Sequence, residues 1–89
     1  MSRITYIINA RGNVSKNQLV ILDGNKETFQ SYQSIIAVKD GATVTLDPMF
    51  WDYSATTLKF LKLFLGVTYT KAEIQAKIDS GDYKTINLN

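Results

Sequence analysis

The sequence predicts an α+β domain: a small antiparallel sheet of about five strands, then two helices near the C-terminus, the first packed on the sheet. Three observations predict it. Runs of β-branched and aromatic residues fill the first half and are punctuated by Asp23-Gly24 and Asp40-Gly41, both hairpin signals. Asp47-Pro48 then ends the extended pattern, because proline lacks an amide hydrogen and biases the residue before it away from helix. Beyond it, apolar residues recur at helical spacing between Ser54 and Gly66.

The elements follow in order. Residues 3–9 read as a strand and residues 10–17, which carry Gly, Asn and Ser, as a loop. Leu19-Val20-Ile21-Leu22 is a second strand, and Asp23-Gly24 matches a turn in which both central residues take positive φ. A third extended stretch runs from Glu27 to about Val38, with a bend or bulge expected at Ser31-Tyr32-Gln33-Ser34. Asp40-Gly41 joins residues 35–38 to residues 43–46. Ser54 caps a helix over residues 55–65, on which Leu58, Phe60, Leu61, Phe64 and Leu65 share one face. Lys59 and Lys62 lie opposite, with Leu63 half exposed on the flank. Gly66 closes this helix. Thr70 and Glu73 form a capping box for the second helix, Glu73 and Lys77 an i,i+4 pair, and Gly81 ends it. Residues 83–88 alternate as a last strand.

Residues 1–89 make a single domain. A chain of this length buries about two-thirds of the surface its unfolded form exposes, and a homodimer would relieve the shortage of core. There is no cysteine, hence no disulfide, thiolate nucleophile or cysteine-bound zinc. There is no histidine either, which removes the commonest general base and the commonest metal ligand. No catalytic residue, metal or cofactor is expected. An enzyme would have to work with Asp, Lys, Tyr or Ser alone, and nothing converges in sequence. No apolar run approaches the ~20 residues of a membrane span, and the start lacks the apolar stretch of a secretion signal, so the expected location is cytoplasmic.

Several residues are candidates for binding. Net charge is only +2, but no acid precedes Asp23, whereas Arg3, Arg11 and Lys16 do. That stretch is either a solvated basic loop or a surface for phosphates or an acidic protein. Phe50, Trp51 and Tyr53 read as an aromatic hot spot, a stacking platform for bases, or the hinge that packs the helix on the sheet. Ser54, Thr56 and Thr57 either cap the helix or bind an anion at its start. Asp47 and Asp52 have no third ligand within sequence reach, and turn or pre-cap roles explain both. Lys59, Lys62 and Leu63 form an apolar–basic edge. The candidate partner-binding set is therefore Arg11, Lys16, Phe50, Trp51, Tyr53, Lys59, Lys62 and Leu63.

Two segments carry a resemblance. Ser31-Tyr32-Gln33-Ser34-Ile35-Ile36-Ala37, and then Trp51-Asp52-Tyr53-Ser54-Ala55-Thr56-Thr57-Leu58-Lys59-Phe60-Leu61 with Phe64-Leu65, resemble a family of small bacteriophage-encoded proteins of unknown function. Many of those carry histidine where this chain has Phe60. The resemblance implies phage or prophage origin and a small protein made in the host cytoplasm during infection, and it implies no reaction. The expected function is a non-enzymatic accessory protein that binds and inhibits or redirects a host protein, a defence system such as CRISPR-Cas being one target. The alternatives are a small nucleic-acid-binding module, using Arg3, Arg11, Lys16, Lys39, Lys59 and Lys62, or a nucleotide-sequestering protein.

Overall fold

The computed structural model describes residues 2–8 and 14–89. They form β1 (Ser2–Ile8), β2 (Val14–Asp23), β3 (Lys26–Ser31), β4 (Ser34–Asp40), β5 (Thr43–Leu46), α1 (Ala55–Leu65), α2 (Lys71–Asp79) and β6 (Tyr83–Thr85). The strands make one sheet in chain order, β1 to β5 antiparallel and β6 parallel to β5. A parallel neighbour needs a long crossover, and the two helices supply it. The α+β architecture matches the sequence expectation, with one strand more than expected.

The extra strand arises because residues 27–38 are not continuous. They fold back at Tyr32-Gln33, between the paired residues Ser31 and Ser34. Of the expected loop over residues 10–17, residues 14–17 belong to β2 and 10–13 lie outside the described residues. The two glycine hairpins also sit one residue later than the Asp-Gly signals suggest. Asp23 pairs with Lys26 and Asp40 with Thr43, so the loops are Gly24-Asn25 and Gly41-Ala42. Only the first residue of each takes positive φ, +62° at Gly24 and +60° at Gly41.

The core face of the sheet is a row of cross-strand neighbours: Thr5, Val20, Phe29, Ala37, Leu46 and Thr85. α1 lies against it and buries Thr57, Phe60, Leu61 and Phe64, with Phe64 stacked on Phe29 at 5.6 Å between ring centres. Ile74 of α2 and Trp51 complete this core. The helix ends follow local rules. The Ser54 hydroxyl accepts from the Thr57 amide at 3.1 Å. Gly66, at φ +71°, returns its amide to the Leu63 carbonyl while Val67 bonds to Lys62, which closes α1. Thr70 and Glu73 bond reciprocally as a capping box. Lys77 does not pair with Glu73, because Glu73 is taken by the cap; it lies 3.6 Å from Asp82 instead.

Lys39 is an internal tether. Its Nζ donates to the Phe64 carbonyl at 2.9 Å, pairs with Glu27 at 3.3 Å and stands 4.7 Å from the Phe64 ring. This fixes the C-terminal end of α1, where unpaired carbonyls favour a cation. It also commits Lys39 to the fold rather than to a nucleic-acid surface.

Asp47 holds the far edge together. Its side chain is 1% exposed. Oδ1 accepts from the amides of Met49 and Phe50 at 2.9 and 3.1 Å, and Oδ2 from the Leu88 amide and the Asn89 side chain at 2.9 Å each. One carboxylate therefore shapes the turn after β5 and straps the last residues to the sheet. Asn89 extends the strap by bonding both backbone groups of Ile35.

Candidate functional site

Two features have the form of binding surfaces, and they lie apart. The first is a cavity of about 540 Å³ where the turn between β3 and β4 meets the start of α1. Ser31, Tyr32 and Ser34 contribute from the turn, Phe50 and Tyr53 from the loop before α1, and Thr57 from its first turn. Among the described residues no charged side chain lines it. Tyr53 and Tyr32 are 73% and 62% exposed, and Phe50 lies 5.9 Å from the Tyr53 ring. Ser31 is 4% exposed, and its hydroxyl has no hydrogen-bond partner among the described residues. Neither has the side-chain carbonyl of Gln18, its cross-strand neighbour on β2. Buried polar atoms without partners are rare in folded proteins.

Tyr32 adds backbone strain to this spot. Its φ is +56°, and it is the only non-glycine with positive φ among the described residues. It fills the loop position that Gly24 and Gly41 fill in the other hairpins. A left-handed conformation costs a side-chain-bearing residue about 1–2 kcal/mol. Tyr32→Gly should accordingly stabilise the chain by about 0.5–1 kcal/mol, after glycine's greater loss of freedom on folding is subtracted. Urea unfolding measures it; a destabilised variant would mean that packing of the Tyr32 ring outweighs the strain.

The second feature is the face of the sheet opposite α1. Ile4, Ile21, Thr28, Val38, Thr45 and Lys84 form one row across all six strands, and Tyr6, Leu19, Gln30 and Ile35 form a row beside it. Among the described residues no helix covers this face. Ile4, Tyr6 and Ile86 are exposed, and Leu19, Ile21, Ile35 and Val38 are only half-buried. A groove runs over it, lined by Val38, Thr45, Ile86 and Leu88 and by the charged side chains of Lys26, Asp40 and Lys84.

The candidate residues from the sequence divide between these places. Phe50 and Tyr53 line the cavity. Trp51 does not: it is 4% exposed and belongs to the core, because the turn built on Asp47 directs it inward under α1. Its expected part in partner binding is corrected to a packing role. Lys59 and Leu63 are exposed and Lys62 half-buried on the outer side of α1, away from both features. Arg11 lies outside the described residues, as does the side chain of Lys16. Thr57 is buried and bonded to Ser54, so the Ser/Thr cluster caps the helix in the first instance. Asp52 lies 3.4 Å from Lys71, and no group of three metal-ligating side chains occurs among the described residues.

From the sequence, Ser31, Tyr32 and Ser34 are expected only to form a bend or bulge. Yet they and Tyr53, Ser54 and Thr57 belong to the two segments that carried the resemblance, and the fold brings both segments to one cavity. The profile of a family of unknown function, DUF8033, matches residues 3–80. The chain belongs to the DUF8033 family. The match runs from β1 through α2, so the cavity and most of the sheet face fall within the family domain, while Lys84, Ile86 and Leu88 lie beyond it. Comparison with curated proteins found no match, and comparison with solved structures found none either.

Proposed function

We propose that this DUF8033 chain is a non-enzymatic phage accessory protein that acts in the host cytoplasm by binding a host protein, and that the uncovered face of the sheet makes the contact. One observation carries the reading: among the described residues the six-strand sheet carries helices on one side only, and its other side presents Ile4, Tyr6, Ile21, Val38 and Ile86 with no acid in either central row. A single exposed apolar residue needs no explanation, but a contiguous patch on a small domain marks an interaction surface. A protein is the favoured partner because aliphatic side chains on a pleated surface match another apolar surface and offer little to phosphates. No helix among the described residues is long and apolar enough to cross a membrane.

Affinity capture from host lysate tests the proposal. Wild type should retain one dominant protein, and Val38→Lys should lose at least tenfold of it while keeping its circular dichroism spectrum. Equal capture by both chains would place the contact elsewhere. Light scattering on the free chain accompanies it, because two copies pairing through this face would give a dimer mass that Val38→Lys abolishes.

A further inference from the structure

We infer that the cavity between residues 31–34 and the start of α1 binds an uncharged, planar, hydrogen-bonding ring of the nucleobase class. This site is separate from the sheet face and does not depend on the proposal made for it.

Three observations converge on that chemistry. The first is the unpartnered Ser31 hydroxyl, 4% exposed and lining the cavity. A buried hydroxyl can donate one hydrogen bond and accept two, and here a ligand atom would supply what the protein withholds. Thr57, also buried and lining the cavity, accepts from the Ser54 hydroxyl at 3.0 Å, which leaves its own proton free to donate. The polar groups at depth thus offer both donors and acceptors, as the edge of a heterocycle requires.

The second is the aromatic rim. Tyr32, Phe50 and Tyr53 line one cavity, and two of them expose most of their rings. Stacking on such rings accepts any base, since every base has a π-face. Tyr32 is held there by a left-handed backbone where the other two hairpins use glycine. The third is electrostatic. Among the described residues no cation lines the cavity, so these residues give a phosphate no counter-charge, whereas a neutral ring needs none. A cavity of about 540 Å³ is within the usual range for small-ligand sites.

The test is a titration of the ¹⁵N-labelled full chain with adenosine, guanosine, cytidine and uridine, and with their 5′-monophosphates. At least one nucleoside should shift the amides of residues 31–34 and 53–57 saturably, and its monophosphate should bind no tighter. Tyr53→Ala, at an exposed position, should weaken that binding at least tenfold. Ser31→Ala should weaken it similarly while leaving the urea midpoint unchanged or raised, because it removes an unsatisfied hydroxyl; a merely structural serine would lower the midpoint. Val38→Lys, on the other face, should bind as wild type does. Absence of shifts at millimolar nucleoside overturns the inference, as does binding that Tyr53→Ala and Ser31→Ala leave intact. A monophosphate that binds more than tenfold tighter than its nucleoside also overturns it, since an anion site would then be the real feature.

Discussion

Asp47→Ala is expected to cost about 3–5 kcal/mol, from a total that for 89 residues is about 4–13 kcal/mol. The substitution leaves the Met49, Phe50 and Leu88 amides and the Asn89 side chain without their acceptor. Each buried donor so orphaned costs about 1–3 kcal/mol, offset where water can reach it as the strap of residues 86–89 loosens. Asp47→Asn is the sharper variant. It keeps one acceptor oxygen but presents an amide donor to two existing donors, and should cost about 2 kcal/mol. Urea unfolding measures both.

The same carboxylate sets an acid response. Burial pushes the Asp47 pKa up, but the hydrogen bonds from Leu88, Asn89, Met49 and Phe50 outweigh burial, so it lies below its ordinary value of 3.8. A group whose folded pKa is depressed contributes stability above its unfolded pKa and loses it as pH falls through the folded value. Wild type should therefore lose stability on acidification below about pH 4. Asp47→Asn should be weaker at neutral pH and flatter across that window. Parallel profiles for the two chains would show that Asp47 is not the group that titrates.

Phe29→Ala is the second large effect, expected at about 3–5 kcal/mol. Phe29 is fully buried at the centre of the core row and stacks on Phe64, so truncation leaves a cavity between the sheet and α1 that neither can close alone. Phe64→Ala should cost less, because that ring lies nearer solvent and is shared with Lys39. A double-mutant cycle should give a coupling of about 0.5–1.5 kcal/mol from the stacked pair. Additive losses would mean that the rings contribute by burial alone.

The fold was legible where a local rule decides it. Ser54, Gly66 and the Thr70/Glu73 box bracket the helices with the residues that satisfy their free backbone groups, and the structure places the boundaries there. Gly24 and Gly41 mark their hairpins because each takes a positive φ that glycine adopts without steric cost. The Tyr32 hairpin was hidden because tyrosine is a poor signal for positive φ, so residues 27–38 read as one stretch with a bend. The parallel pairing of β5 with β6 was equally hidden, since it depends on how two helices return the chain rather than on any residue in either strand.

The candidate site was half legible. Phe50 and Tyr53 stand out as aromatics beside a helix start, whereas Ser31 matters only because the fold buries its hydroxyl without a partner. Trp51 drew attention by composition, and burial decides its role. The sheet face escaped notice because Ile4, Ile21, Val38 and Thr45 are far apart in sequence and become one row only through strand register.

Photo-crosslinking inside host cells tests the central claim most directly. A benzophenone side chain at position 38, on the open face of the sheet, should yield a single covalent adduct with a host protein, and the same probe at position 62, on the outer side of α1, should yield none. An adduct from position 62 with none from position 38 would contradict the account.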